Sequence, residues 1–202
     1  MSAYARIKRA LDAALSLLLM AALSPVFLLV ALAVKLTSKG PVLFLQKRVG
    51  RGGRLFTILK FRTMRLDTPR DTATHLLNDP ERFITPIGAF LRKSSLDELP
   101  QLWNVLRGEM SLIGPRPALY NQYDLIEARE IAGVNAVRPG LTGWAQINGR
   151  DELPIPVKVR YDEEYVKNFG FRMDVRCFFG SIACVLNGAG VREGRAGGKK
   201  SA

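Results

Sequence analysis

AALSLLLMAALSPVFLLVALAV, residues 13–34, carries no charged side chain, and how it meets a bilayer decides the architecture of the whole chain. A helix of roughly 20 apolar residues spans a hydrocarbon core of about 30 Å. The run is long for a signal-peptide core, and a basic KLTSKG follows it where a small-residue cleavage site would stand. Two features oppose a simple crossing. Arg6, Lys8 and Arg9 flank one end and Lys35, Lys39, Lys47 and Arg48 the other. The preference of basic residues for the cytoplasmic side then favours both ends on one face. Ser24-Pro25 interrupts the middle: proline lacks the N–H and its ring clashes with the preceding turn, and serine can take up a freed backbone group. The halves, about 12 and 9 residues, make helices of roughly 18 and 14 Å, each too short to cross. A re-entrant hairpin dipping into one leaflet and a kinked transmembrane helix both satisfy this pattern.

The remainder must supply one globular body. The chain has 202 residues with 48% hydrophobic content, enough for a core, and its 30 basic against 18 acidic residues give a net charge of +12. That excess points to a polyanionic partner: nucleic acid, an anionic phospholipid bilayer, or phosphorylated ligands. Cys177 and Cys184 lack CxxC spacing, and His75 is the sole histidine, so neither a cysteine–histidine zinc site nor a Ser-His-Asp triad fits. Carboxylates, lysines and arginines are left to carry any chemistry.

Residues 42–46 and 55–61 are β-prone and flank GRGG, which predicts a β-hairpin. Lys47, Arg48, Arg51, Arg54, Lys60, Arg62, Arg65 and Arg70 crowd this region; no GKS or GKT follows the glycines, so it is not a P-loop. Sparse aromatic interleaving favours contact with lipid head groups or phosphates over nucleic acid. A polar loop over 68–86 precedes a short amphipathic helix over 87–92. Further helices are expected over 119–131, 157–168 and 175–186, with loop and a short strand over 138–150. From Gly188 the chain is glycine- and lysine-rich, the composition of a disordered tail. The fold class is therefore α+β: an N-terminal membrane-entering helical segment, then a small, mainly helical domain with a β-hairpin. Its expected divisions are 1–39, 40–191 and a basic tail over 192–202.

The chemistry concentrates in SSLDELPQLWNVLRGEMSLIGPRP, residues 94–117. Ser95 and Glu98 have capping-box spacing, which places Asp97 and Glu98 in a first helical turn, with the helix running through Leu102, Trp103 and Leu106 to Gly108. Pro100 either kinks that helix or marks its true first turn. An ionised Asp can bind Mg²⁺ or attack phosphorus. Neighbours in a helix point about 100° apart, so the pair divides its labour. Arg116, between two prolines, sits on a stiff turn suited to aiming a guanidinium fork at phosphate oxygens. Helix capping and a surface ion pair account for the same residues without any reaction.

KFRTM (60–64), LRKSSLDELPQLWNVLRGEMSLIGPRP (91–117), RPGLTGWAQINGR (138–150) and YDEEYV (161–166), in that order, resemble the bacterial sugar transferase family, the monotopic polyprenyl-phosphate phosphoglycosyl transferases. The likeness runs from about residue 4 to 191, with small departures at Thr63, Glu109 and Ser181, and is to the family's smaller form. It implies transfer of a sugar-1-phosphate from a UDP-sugar to polyprenyl (undecaprenyl) phosphate with release of UMP, the initiating step of bacterial glycoconjugate synthesis. By the same likeness Asp97 is the nucleophile, forming a covalent phosphosugar intermediate, and a Mg²⁺ contact. Glu98 assists proton transfer or positions the lipid phosphate. Lys60, Arg62, Arg92 and Arg116 hold phosphates, with Asp162 and Asp174 in supporting substrate-binding roles. The Ser24-Pro25 break matches the family's re-entrant hairpin, which implies the bacterial inner membrane with the catalytic domain on its cytoplasmic face. An N-acetylated deoxy-sugar is the expected donor sugar of the smaller members. A non-catalytic membrane-surface module binding anionic lipid or nucleic acid through the basic hairpin is the rival reading.

Overall fold

The computed structural model describes residues 2–69, 79–149 and 153–186. His75, Arg70 and the tail over 192–202 lie outside the described residues.

Helix α1, Ala3–Ala22, opens on Ser2, whose hydroxyl accepts from the Ala5 N–H at 3.2 Å. Helix α2, Ser24–Thr37, follows at a bend of 64°. The break falls at Leu23, one residue before the expected Ser24-Pro25. Pro25 instead stands in the first turn of α2, where a missing N–H removes no helical hydrogen bond. The backbone closes the bend by itself: the Leu23 N–H reaches Leu19 O and the Phe27 N–H reaches Leu23 O, both at 2.9 Å. Among the described residues the exposed Ser24 hydroxyl makes no hydrogen bond, so the serine assistance expected from the sequence is not used. Among the described residues no single helix is long and apolar enough to cross a membrane, though the bent pair together has the length and composition.

Both helices outrun the halves expected from the uncharged run. Helix α1 begins at Ala3 because its first turns have a body to pack against. Lys8, Asp12 and Ser16 are buried along one side, while Leu11, Leu15, Leu17 and Leu18 stay exposed. The buried side is polar and the exposed side apolar, the inverse of a soluble helix.

Strands β1 (Leu43–Val49) and β2 (Leu55–Phe61) pair antiparallel, from Leu43 opposite Phe61 to Val49 opposite Leu55. Gly52 (φ 64°) and Gly53 (φ 72°) turn the chain between them in a region that side chains disfavour. Val30 and Val34 of α2 pack on Phe61 and Leu91, which fastens the bent pair to the hairpin and to α3 (Pro86–Lys93). On the body side, Ile58 packs with Val105 of α4 (Gln101–Arg107) and with Met110.

The short strands β3 (Ser111–Ile113) and β4 (Gly140–Thr142) pair in parallel. Their backbones approach so closely that a Cβ at Gly140 would collide with the Gly114 backbone, and one at Gly114 with that of Arg138. Helix α5, Tyr123–Ile131, starts later than residue 119 because Leu119 is buried in a bridge to Arg48. After the short α6 (Trp144–Ile147), α7 (Ile155–Lys167) and α8 (Phe171–Leu186) close the fold. They meet around Tyr165, Met173 and Cys177. The result is α+β and mainly helical, with the expected hairpin.

Candidate active site

The Asp97–Glu98 pair sits between two helices rather than in the first turn of one. Thr85 caps α3, its hydroxyl accepting from Gly88 N–H at 3.0 Å, and α3 ends at Ser94. Ser95 then takes a left-handed conformation (φ 58°, ψ 15°) and makes no side-chain cap. The expected capping box is therefore absent: the Glu98 side chain turns to cations and leaves the Ser95 backbone. Leu96–Glu98 form one 3-10 turn, and Pro100 is the cap from which α4 begins, the second of its two expected roles. A non-glycine residue at positive φ costs on the order of 1 kcal/mol or more, held here by the packing on either side.

Around this turn three elements converge. Lys60 Nζ, from β2, lies 2.7 Å from Glu98 Oε1. Arg116 holds both oxygens of the same carboxylate, Nη2 at 2.8 Å from Oε1 and Nη1 at 3.4 Å from Oε2. Burial by itself would raise the Glu98 carboxyl, but Arg116 and Lys60 outweigh it and hold the group well below the usual carboxylate range. Asp97 is only 8% exposed and, among the described residues, accepts no hydrogen bond. Burial pushes its carboxyl up; Lys60 pulls it back, Glu98 pushes further, and Arg92 and Arg116 pull weakly. Adjacent carboxylates are thus driven apart, one locked as a saturated anion and one left with free oxygens beside cations.

Arg116 is itself braced. The buried Arg129, from α5, donates through Nη1 to Arg116 O at 2.7 Å. Its Nε and Nη2 grip Asp162 Oδ2 at 3.0 and 2.6 Å. Asp162 therefore stands behind the Pro-Arg-Pro turn, its carboxyl pushed up by burial against the pull of Arg129. Sequence reasoning passed over Arg129. Its signal was an arginine one helical turn after Leu125 on the face that α5 buries.

Arg62, expected at phosphates, and Asp174, expected in a supporting substrate-binding role, make their contacts elsewhere. Arg62, 4% exposed, donates to the Lys39 carbonyl, to Ser38 O at 2.9 Å and to Ser38 Oγ at 3.0 Å. It satisfies the chain leaving α2. Asp174 bonds Lys8 Nζ at 2.7 Å and accepts from Tyr4 at 2.5 Å and Tyr165 at 2.7 Å, tying α1 to α7 and α8. The structure thus gathers Lys60, Arg92, Asp97, Glu98 and Arg116, keeps Asp162 one residue behind them, and commits Arg62 and Asp174 to joints with the apolar helices.

The strained turn thus presents one buried carboxylate without a hydrogen bond among the described residues, beside lysine and arginine and packed near the apolar helix pair. The chain belongs to the bacterial sugar transferase family, whose sequence pattern matches residues 3–188. It is 41% identical over 94% of its length to a UDP-N-acetylgalactosamine-undecaprenyl-phosphate N-acetylgalactosaminephosphotransferase of Aeromonas hydrophila, covering 46% of that protein. It is 45% identical over 87% of its length to an undecaprenyl-phosphate glucose phosphotransferase of Komagataeibacter xylinus, covering 35% of it. The chain thus spans less than half of these two curated relatives. It matches an uncharacterized sugar transferase, EpsL of Bacillus subtilis, nearly end to end: 40% identity over 93% of this chain and 91% of that one.

Proposed function

We propose that this protein transfers a sugar-1-phosphate from a UDP-sugar to polyprenyl (undecaprenyl) phosphate at the cytoplasmic face of the bacterial inner membrane, initiating a glycoconjugate. The observation that carries the reading is the split pair: Asp97 buried beside cations with unengaged oxygens, Glu98 saturated by Lys60 and Arg116.

In the first step an Asp97 oxygen attacks the sugar-bearing phosphorus. A new P–O bond to Asp97 forms, the bond from that phosphorus to the bridging oxygen breaks, and UMP leaves with the bridging oxygen's electron pair. In the second, an oxygen of polyprenyl phosphate attacks the same phosphorus, and Asp97 departs as a carboxylate. Arg92, Arg116 and Lys60 offset the charge gathered on the phosphates. Glu98, held as an anion by Lys60 and Arg116, orients these two cations beside Asp97. The aspartyl oxygens suit Mg²⁺, a hard cation that uses one or two carboxylates and completes its shell with phosphate oxygens and water. When bound it would neutralise diphosphate charge. Among the described residues no group of three acidic, histidine or cysteine side chains converges as a metal cage.

The bent pair α1–α2 enters and leaves one leaflet, which sets the Asp97 turn at the head-group level where the lipid phosphate lies. Arg62 and the Val30–Val34–Phe61–Leu91 cluster fasten the bent pair to the hairpin and to α3, which supports that reading.

Intact-protein mass spectrometry tests the reading. The purified protein meets Mg²⁺ and a panel of UDP-sugars that includes the glucose and N-acetylgalactosamine forms and N-acetylated deoxy-sugars, without polyprenyl phosphate. An adduct of one sugar-phosphate mass, missing in Asp97→Asn, is expected. Release of UMP only once polyprenyl phosphate is added, with no adduct, would replace the covalent step by direct transfer. Neither adduct nor UMP across the panel would overturn the proposal.

A further inference from the structure

A cavity of about 180 Å³ opens between the first turns of α1 and the tip of the β-hairpin, lined in part by Lys8, Arg9, Asp12, Arg51, Ser111 and Arg138. It shares no residue with the Asp97 turn. It lies at the turn end of the hairpin, whereas Lys60 lies at the open end, and beyond the C-terminus of α4, whereas Glu98 precedes the N-terminus. Five residues of strand alone separate the two by roughly 17 Å.

The charges in this cavity do not balance. Lys8 is neutralised by Asp174 at 2.7 Å. The Asp12 carboxylate is engaged by Ser111 Oγ at 2.7 Å and by Lys8 at 3.7 Å. Arg9 spends two N–H groups on Val105 O and Leu106 O, both at 2.7 Å, and Arg138 gives its Nε to Gly108 O at 2.8 Å. Among the described residues no carboxylate lies within ion-pair distance of Arg9, Arg51 or Arg138, and Arg51 makes no hydrogen bond from its side chain. The crowding is felt electrostatically. Burial lowers the Arg138 guanidinium, Arg9 and Arg51 lower it further, and Asp12 only partly offsets them. Three guanidinium groups held in one concavity with hydrogen-bond donors to spare are arranged for an anion that the chain itself does not provide.

The volume limits which anion. At about 180 Å³ the cavity is smaller than sites for drug-sized ligands, which begin near 300 Å³. A tetrahedral phosphate group fits, and the open side leaves room for the rest of a larger molecule outside. We propose that this cavity is a second phosphate-binding site, separate from the Asp97 turn, that takes a phosphate monoester or diester group through Arg9, Arg51 and Arg138. A phospholipid head group and a soluble phosphate both present that chemistry. Located where the polar end of α1 meets the hairpin tip, an occupied site neutralises the like charges that otherwise push those two elements apart.

Phosphate titration of the unfolding midpoint tests this in the full chain, in phosphatidylcholine nanodiscs, without Mg²⁺ and at constant ionic strength set with chloride. Phosphate is expected to raise the wild-type midpoint. Arg51→Gln removes an exposed side chain that holds no part of the fold. It should raise the phosphate-free midpoint, by relieving repulsion, and weaken the apparent phosphate Kd about tenfold, the worth of one charge-assisted hydrogen bond. Arg51→Gln/Arg138→Gln should leave only the smaller response that phosphate contacts at the Asp97 turn supply, and Arg92→Gln, at that turn, should keep the larger part. A response unchanged in both cavity variants, or lost in Arg92→Gln, overturns the proposal, as does a wild-type midpoint that phosphate does not move. In phosphatidylglycerol nanodiscs, a raised midpoint that free phosphate no longer increases, with both effects reversed by Arg51→Gln, identifies the lipid head group as occupant. A phosphate response as large as in phosphatidylcholine identifies a soluble phosphate instead.

Discussion

Asp97 and Glu98 are neighbours in the chain with opposite electrostatic fates, and the difference lies in what reaches each carboxylate. Lys60 and Arg116 converge on Glu98, while Asp97 is buried with its oxygens unengaged. A carboxyl raised above its unfolded value adds stability only while protonated; that contribution is complete below the usual aspartate range near 3.9 and lost as pH rises through the raised value. At neutral pH the charged Asp97 therefore burdens the fold. Asp97→Asn should abolish the sugar-phosphate adduct yet raise the melting temperature at pH 7 by a few degrees, with the gap closing in acid. A lower melting temperature at pH 7 would refute the burial argument. Glu98 carries the opposite sign: its depressed carboxyl stabilises the fold above the usual glutamate range and loses that effect only as pH falls through the lowered value. Glu98→Gln strands two cations. With Glu98 17% and Arg116 29% exposed at the side chain, the cost should be about 2–3 kcal/mol by urea unfolding, below the 3–5 of a fully buried pair. The sequence made both carboxylates visible as a pair near cations. It could not say which one the cations would take, because Lys60 and Arg116 arrive from elements far away in the chain.

Among the elements, the bend between α1 and α2 was legible because its cause is local. Proline at position 25 admits a helix start and forbids a helix interior, so the register of the break shifted by a single residue between expectation and structure. With alanine there, nothing local interrupts a continuous helix of about 50 Å, more than enough to cross a bilayer. In Pro25→Ala a fraction of molecules should present a cysteine placed at Ser2 on the face opposite the body, read by an impermeant thiol reagent on oriented vesicles. Labelling confined to the body's own face would show that the proline does not set the path. The capping box was misread for the converse reason. S-x-x-E spacing is a local pattern, but the Glu98 side chain had a stronger, non-local offer from a lysine and an arginine, and Ser95 adopted a strained turn that a helix start does not need.

Across the whole molecule, the first turns of α1 belong to the body as much as to the apolar helix pair. Asp12 reaches Ser111, Arg9 reaches the end of α4, and Lys8 and Tyr4 reach Asp174 on α8. Lys8 and Asp174 are each only 10% exposed at the side chain, so removing the carboxylate charge leaves a buried lysine without its near partner. Asp174→Asn should cost about 3 kcal/mol by urea unfolding, while the folded fraction still forms the Asp97 adduct. A folded Asp174→Asn protein that forms no adduct would return Asp174 to substrate binding.

The sequence by itself determined what repeats or acts locally: the apolar pair and its break, the hairpin and its glycine turn, the end of α4 at Gly108, and the presence of a carboxylate pair followed by a stiffened arginine. Only the tertiary structure decided which charge meets which. It turned Arg62 toward the end of α2, set Arg129 and Asp162 behind Arg116, drew Asp174 to Lys8, and left three arginines facing one another in a cavity. The physical reason is range. Helix breaks and turns are fixed by backbone sterics within a few residues, whereas a charge is assigned its partner and its protonation by every group that folding brings within several ångströms, wherever in the chain that group resides.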